Sequence, residues 1–253
     1  MVTQASEQLL QQHLCSAGRR LYDRQLVAAN DGNMSIRLNH REILTTPTGV
    51  SKGFMSPESM VVVDLDGHLL RGHTKPSSEI LMHLAIYRVR QDVGAIVHAH
   101  PPYATAFAVT GNSPDPKILA EVVVTLGIIP LAEFRLPSTR ELADTVQHYI
   151  INHDVVLMAN HGAVTVGKDL EAALFRMETL EHFCRIYWIA RMMGTPQPLP
   201  ASHVSQLEQM RRQYGLSNSP GSQTTSDVNH LDAIIRRAVQ HVLATHTSTT
   251  GQK

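Results

Sequence analysis

The order of predicted strands and helices is the feature that most limits what this chain can fold into. The segments MSIRL and ILTTP flank the turn NHRE and predict a β-hairpin, and VVVDLDGHLLRG predicts a second one with Asp66-Gly67 at its tip. Helical periodicity follows over residues 77–90 and again over 169–193. Hairpins require antiparallel pairing, whereas intervening helices cover the faces of a sheet. We therefore expect an α/β fold with a central mixed, largely antiparallel sheet and helices on its faces.

The second half of the chain supplies the remaining elements. GIIPLAEF is predicted as a strand, and the run from Ser138 to Glu141 predicts a capping box that opens a helix. DVVLMANHGAVTVG predicts two strands around His161, and residues 203–214 suit a helix. Beyond these, SNSPGSQTTS is polar and flexible in composition, and an amphipathic pattern returns over residues 228–245. We expect one domain over residues 1–215 and, over 216–253, a linker with a C-terminal helix and tail.

Charge and cysteine content exclude several classes of protein. Lys and Arg number 22 and Asp and Glu also number 22, so no basic stripe indicates a nucleic acid or a membrane surface as a partner. The apolar stretches are too short and too often interrupted by charge to span a bilayer, and the N-terminus lacks the pattern of a secretory signal. The only cysteines, Cys15 and Cys184, lie in helical patterns, which favours a reducing cytoplasm without disulfides.

Three histidines form a candidate metal site. His98 and His100 come at the end of the apolar run GAIVHAH, where residues i and i+2 of a strand point to the same face. His161 follows a second apolar run and precedes Gly162 at a turn. Three convergent imidazoles that leave a coordination position open are typical of a catalytic zinc site. A His-x-His pair is common, however, and is often only structural.

Polar residues before the helix that leads to the metal strand form a second candidate group. Glu79, in KPSSE, can bind a metal or transfer a proton, or it can simply complement the helix dipole. Ser77 and Ser78 stand at the same helix N-terminus, where backbone N–H groups and hydroxyls suit an anion, although simple N-capping is the commoner role of serine.

Two turns could complete an anion site. Asn33 lies in NDGNMS, where Gly32 allows a ligand to approach the backbone closely, and Thr48-Gly49 lies in the proline-led turn TTPTG. Neither segment has the glycine spacing of a Walker loop or a dinucleotide fingerprint. A plain turn is the alternative for each.

Five motifs together carry a family resemblance. GNMSIR, TPTG, KPSSE, AIVHAH and NHGAVTVG, in this order and at these intervals, resemble the class II aldolase/adducin-head family over roughly residues 5–215. Within this family the fuculose-phosphate aldolases are the most similar subgroup. The resemblance implies a three-layer α/β/α fold and one zinc ion per chain, with Mn²⁺ or Co²⁺ as possible replacements. It also implies a homotetramer with C4 symmetry and active sites between subunits.

The resemblance assigns a role to each candidate residue. The metal ligands of the family match His98, His100 and His161, and its catalytic carboxylate matches Glu79. The phosphate-binding residues match Asn33, Thr48, Gly49, Ser77 and Ser78, and a C-terminal tyrosine that helps to close the site matches Tyr214.

The implied reaction is that of a zinc-dependent lyase. Its substrate would be a ketose 1-phosphate such as L-fuculose 1-phosphate, which it would cleave into dihydroxyacetone phosphate and an aldehyde. A related decarboxylase or dehydratase with the same metal and carboxylate is the alternative. A non-catalytic adducin-head-like module is a further reading, against which the complete metal set argues. Phe134 stands where such aldolases carry a tyrosine donated from a neighbouring subunit, and a phenyl ring cannot transfer a proton.

Overall fold

The computed structural model describes residues 4–216 as a three-layer α/β/α fold. Its strands are β1 (Asn33–Arg37), β2 (Glu42–Thr45), β3 (Val61–Asp64), β4 (Leu69–Arg71), β5 (Ala95–Ala99), β6 (Leu131–Ala132), β7 (Val155–Met158) and β8 (Gly162–Gly167). Its α-helices are α1 (Gln4–Asp23), α2 (Ile80–Val89), α3 (Pro102–Val109), α4 (Ala120–Thr125), α5 (Arg140–Ile150), α6 (Leu170–Met193) and α7 (Ala201–Gln213). Short 3-10 turns occupy Lys52–Phe54, Pro57–Ser59 and Pro116–Ile118.

The strands form a single sheet in the order β4-β3-β2-β1-β5-β8-β7-β6. Both predicted hairpins are present as β1–β2 and β3–β4, and every neighbouring pair is antiparallel except β6–β7. The prediction of a mixed, largely antiparallel sheet is therefore confirmed.

Side-chain alternation along the strands creates a core on each face of the sheet. Val97 of β5 packs on the face covered by α1, α3 and α6, whereas its neighbour Ile96 packs on the face covered by α2 and α5. Both side chains are fully buried. Burying a Val or Ile side chain stabilises a fold by about 1.5–3 kcal/mol. Since a shift of one residue would exchange the two faces, this packing also fixes the register of β5.

Two predicted elements differ in the structure. The strand expected over GIIPLAEF is reduced to the two residues of β6, because Pro130 has no N–H to donate to a neighbouring strand and Ile128 is exposed. The cap of α5 is Thr139, whose hydroxyl accepts from Leu142 N, and not Ser138, which has φ +65°.

The C-terminal part of the described chain docks on the domain. The helix predicted over residues 203–214 begins earlier, at Ala201, and buries Val204 and Leu207 against α4. The helix predicted over residues 228–245 lies outside the described residues. Across residues 4–216, no helix combines the length and the apolarity needed to cross a membrane.

Candidate active site

The three predicted metal histidines meet at one end of the sheet. His98 is the second-last residue of β5, and His100 follows directly after the strand. His161 lies in the tight turn between β7 and β8. Because β5 and β8 are antiparallel neighbours, that turn lies beside the end of β5. One nitrogen from each ring lies within 4.8 Å of the others. These side chains are therefore close enough to share one ion.

Hydrogen bonding determines which nitrogen of His98 faces the centre. Its Nδ1–H donates to the carbonyl oxygen of Ala163 at 2.9 Å, which leaves the lone pair on Nε2. The Nε2 atom of His100 lies 3.2 Å from the Nε2 atom of His98. Two such lone pairs repel each other unless a proton or a cation lies between them.

Glu79 brings a carboxylate to the same point. Its Oε2 lies 3.0 Å from His98 Nε2, and its Oε1 lies 3.2 Å from His161 Nε2. Asn33 donates from Nδ2 to Oε2 at 3.0 Å, an approach that the pairing of Asn33 with His98 across β1 and β5 makes possible. Helix α2 begins only after Glu79, so this residue occupies the N-cap position and not the first turn.

The protonation states of these groups favour a cation. Burial alone would raise the pKa of the Glu79 carboxyl, but the imidazoles of His98 and His161 hold that pKa well below its usual range. Burial would lower the pKa of His98, and the Glu79 charge raises it instead. Burial also lowers the pKa of His100 to about 4, and the charge on His98 acts in the same direction. An ionised carboxylate and a neutral His100 are ligand forms that metals require, and a bound cation would take the place of the proton that the Glu79 charge favours on His98.

The donor set fits a metal ion. Oε1 of Glu79 is buried and, among the described residues, makes no aligned hydrogen bond although it lies 3.2 Å from His161 Nε2, so this oxygen is free to face an ion shared with the three imidazoles. Three imidazoles and a carboxylate suit zinc and also other divalent transition metals. His98, His100 and His161 would hold the ion, with Glu79 beside it.

The predicted anion-binding turns lie next to Glu79. A β-bridge joins Pro47 to Pro76, and Thr48 N donates to the Lys75 carbonyl oxygen at 3.0 Å. The segments TPTG and KPSS are therefore in direct contact. Gly49 has φ +71°, and a Cβ atom built there would meet nothing within 4 Å, so the backbone is open to a ligand.

The two serines differ in their surroundings. Ser77 is buried, and its Oγ accepts from Glu79 N at 3.3 Å, so its hydroxyl already has a structural role. Ser78 is exposed, as are Thr48 and Gly49. Of the serine hydroxyls, that of Ser78 is the one more open to a ligand from solvent.

Two predicted residues lie elsewhere on the chain. Tyr214 ends α7 and packs against the apolar cluster that joins α7 to α4. Phe134 follows β6 and is half exposed. Within a single chain, the structure therefore brings together the histidines, Glu79 and the turns predicted to bind an anion, and it places Tyr214 in a separate apolar cluster.

Two residues near the site were not predicted. Asp31 lies 3.3 Å from Nδ1 of His100, and Lys52 is buried beneath the turn that carries Asp31. Their sequence contexts, NDGN and SKGF, read as ordinary turns. Only the contact of each with a distant segment distinguishes them.

Comparisons with known proteins identify the family of the chain. The family model described as Class II Aldolase and Adducin N-terminal domain matches residues 12–188, and the chain belongs to this family. A solved L-fuculose 1-phosphate aldolase is similar in fold, with a TM-score of 0.74 and 30% identity over 80% of this chain and 95% of that one.

Curated relatives cover more than one activity. An L-fuculose phosphate aldolase from Methanococcus maripaludis is 35% identical, over 68% of this chain and 92% of its own length. A 5-deoxy-D-ribulose 1-phosphate aldolase from Bacillus thuringiensis is 30% identical, over 81% of this chain and 96% of its own length. A 3-oxo-tetronate 4-phosphate decarboxylase from Haemophilus influenzae is 35% identical, over 68% of this chain and 83% of its own length. The family supports a lyase-type enzyme, and the relatives differ in the bond that they break.

Proposed function

We propose that the protein is a zinc-dependent aldolase that cleaves a ketose 1-phosphate, such as L-fuculose 1-phosphate, into dihydroxyacetone phosphate and an aldehyde. One observation carries this proposal. The carboxylate of Glu79 lies between His98 and His161, and the exposed turns that could hold a phosphate are in contact with the same segment of chain. A metal site, a proton-transferring group and an anion site are thus adjacent.

The histidines would hold the metal through their ring nitrogens. When bound, the ion would act as a Lewis acid that withdraws electron density from the substrate carbonyl. His98 is fixed for this role because its Nδ1–H is held by the Ala163 carbonyl oxygen. Its buried position also keeps water away from that side of the site.

Glu79 would move the proton of the reaction. Its carboxylate is ionised and lies within 3.2 Å of two of the histidines, so it can take a proton from, or return one to, the carbon next to the substrate carbonyl. Asn33 holds Oε2 through its amide, which fixes the orientation of the carboxylate. Oε1, which Asn33 does not contact, is the oxygen left for the proton.

The anion-binding turns would anchor the substrate away from the reacting bond. Exposed groups of Thr48, Gly49 and Ser78 can donate to a phosphate, and binding energy from such a remote group helps to hold the reacting bond in place. The names of the three relatives described above all specify phosphorylated substrates, which supports a phosphate ester here.

A decarboxylase is the second candidate. The similarity to a 3-oxo-tetronate 4-phosphate decarboxylase equals that to the fuculose phosphate aldolase in identity, at 35%. Decarboxylation also needs an electron-withdrawing metal and a proton donor, but it needs no acid for a departing aldehyde. Phe134, which stands where aldolases carry a tyrosine, would not hinder it.

A direct assay separates these candidates. Metal-loaded protein would be incubated with L-fuculose 1-phosphate, 5-deoxy-D-ribulose 1-phosphate and 3-oxo-tetronate 4-phosphate, with release of dihydroxyacetone phosphate and of CO₂ measured in parallel. We expect dihydroxyacetone phosphate from at least one ketose 1-phosphate and metal content near one ion per chain. Release of CO₂ alone would replace the aldolase by the decarboxylase. Bound metal without turnover of any substrate would favour a non-catalytic module.

A further inference from the structure

The turn that precedes β1 packs against the predicted metal site. Asp31 N donates to the Ala28 carbonyl oxygen at 2.8 Å. The next residue, Gly32, has φ +71°, and a Cβ atom built there would lie 2.8 Å from the carbonyl oxygen of His98. The turn therefore packs directly on the backbone of a metal-site histidine, and only glycine fits at the contact.

A buried lysine fixes the same turn from below. Lys52 is 1% exposed, and its ammonium donates to the carbonyl oxygens of Asn30 at 3.1 Å and Val50 at 2.6 Å. Lysine is almost never fully buried unless its charge is paired. Here the nearby charge is that of Asp31, which opposes the lowering of the Lys52 pKa by burial. Lys52 thereby ties the turn carrying Asp31 to the turn carrying Gly49.

Asp31 faces the outer nitrogen of His100. Its Oδ2 lies 3.3 Å from Nδ1 of His100, on the side of the ring opposite to the Nε2 atom that faces His98. The outer nitrogen of His98 is held by a backbone carbonyl, whereas Nδ1 of His161 is buried without a hydrogen-bond partner among the described residues. The outer contact of His100 is thus made by a side chain.

We propose that Asp31 is a positioning residue for His100: its carboxylate holds the proton on Nδ1 and thereby presents the Nε2 lone pair to the metal. A carboxylate on the outer nitrogen fixes the tautomer and the ring orientation of a ligand histidine and makes the ligand more basic. The proposal uses the metal site of the proposed function but not the identity of the substrate. A failed aldolase assay therefore leaves it standing.

Metal affinity of the protein without substrate is the direct test. Metal-free wild type, Asp31→Asn, Asp31→Ala and the control Asp144→Ala would be titrated with Zn²⁺ against a chelator of known affinity. Asp144 is an exposed aspartate on α5, so its variant reports the loss of a surface charge alone. Loss of such an outer partner typically weakens binding about 10- to 100-fold. We expect a loss of this size for Asp31→Ala and a smaller one for Asp31→Asn, whose amide oxygen can still accept from Nδ1–H.

A second readout excludes a purely structural role. The visible absorption of bound Co²⁺ reports ligand geometry, and urea unfolding of the metal-free proteins reports stability. We expect Asp31→Ala to change the Co²⁺ spectrum of the folded protein, in addition to any loss of stability that follows from removing the charge near Lys52. The proposal is overturned if Asp31→Ala binds Zn²⁺ as tightly as Asp144→Ala. It is equally overturned if the metal-free Asp31→Ala protein is destabilised and the Co²⁺ spectrum of its folded fraction is unchanged.

Discussion

At the scale of single residues, the proposed chemistry depends most on the position of Glu79. Its carboxylate contacts His98 and His161, yet the residue stands at the N-cap of α2, where an acidic side chain would also complement the helix dipole. Proton transfer and a purely electrostatic role at the helix N-terminus can be separated by comparing Glu79 with a glutamate that lies at another helix N-terminus. Glu141, exposed in the first turn of α5, offers that comparison.

We predict that Glu79→Gln keeps the metal but loses most of the activity. The amide preserves shape and the contact with Asn33, but it cannot carry a proton, and general acid–base groups contribute roughly 10²- to 10⁴-fold to a rate. Turnover and metal content measured on the same sample check this, with Glu141→Gln as the control that should retain activity. Wild-type turnover in Glu79→Gln would make Glu79 a structural residue.

The two serines allow a finer test of the anion site. The Ser77 hydroxyl already accepts from Glu79 N, whereas Ser78 is exposed. We therefore predict that Ser78→Ala weakens the binding of phosphorylated substrates and not that of their dephosphorylated analogues. A lost hydrogen bond to a charged group costs roughly 1.5–3 kcal/mol, which should appear in kcat/KM for the phosphate ester but not for its dephosphorylated analogue. Ser77→Ala should in addition lower stability, because it leaves the buried Glu79 N–H without its acceptor. Equal losses on both substrates would indicate a purely structural role of the serine.

At the scale of elements, a buried charge cluster joins four parts of the fold. Asp154, just before β7, is 4% exposed in its side chain and lies 3.0 Å from Arg90, 3.0 Å from Arg176 of α6 and 3.6 Å from Arg211 of α7. Together with the burial of Leu207, this contact makes α7 part of the folded domain. Truncation from about residue 203 would remove these contacts. A loss of activity in that variant would therefore not isolate a role of Tyr214 in closing the site.

We predict that Asp154→Asn lowers the free energy of unfolding by about 3–5 kcal/mol, because it removes the carboxylate that faces the buried guanidinium groups of Arg176 and Arg211, whereas Arg90 keeps its ion pair with Asp92. Urea unfolding would measure this, with Asp66→Asn as a control, since its ion pair with Arg88 is exposed and worth only about 0–1 kcal/mol.

The difference in stability between wild type and Asp154→Asn should depend on pH. Burial would raise the pKa of Asp154, but Arg176, Arg90 and Arg211 hold it below its usual value in the folded protein. The unfolded chain then takes up the proton first, so the stabilisation is complete above the unfolded value of about 3.9 and is lost as the pH falls through the folded pKa. The difference between wild type and Asp154→Asn should therefore shrink below about pH 4. A constant difference across this range would show that the charge of Asp154 is not the cause.

At the scale of the whole molecule, the proposed homotetramer would place the segment after β6 beside a neighbouring site. Phe134 and Leu136 in this segment are 49% and 66% exposed in the single chain, as apolar residues at a subunit contact would be. Light scattering of the purified protein would measure the oligomeric state directly.

We predict that Phe134→Tyr leaves aldolase activity unchanged or increases it on fuculose-type substrates, because the hydroxyl supplies the proton donor that the phenyl ring lacks. Steady-state kinetics on L-fuculose 1-phosphate and on 5-deoxy-D-ribulose 1-phosphate would show the change. Loss of cleavage on both substrates would indicate that Phe134 lines an apolar pocket, and a decarboxylase or an aldolase for deoxy substrates would become the better proposal.

Local features of the sequence by themselves determined most of the fold. Period-two alternation and turn residues predicted both hairpins, and the i, i+2 spacing predicted that His98 and His100 share a face, because these properties depend only on neighbouring residues. The order of hairpins and helices along the chain predicted the mixed sheet, because hairpins impose antiparallel pairing and the helices between strands cover the sheet faces.

Only the tertiary structure decided the rest, because it depends on contacts between segments that are far apart in the chain. Strand β6 is only two residues long, because Pro130 has no N–H with which to extend the pairing. The docking of α7 depends on a charge cluster that joins Asp154 to Arg90, Arg176 and Arg211. The contact of Asp31 with His100 depends on a turn held in place by Lys52. Neither Asp31 nor Lys52 differs locally from an ordinary turn residue. What sets each apart is a partner that only the folded chain brings near.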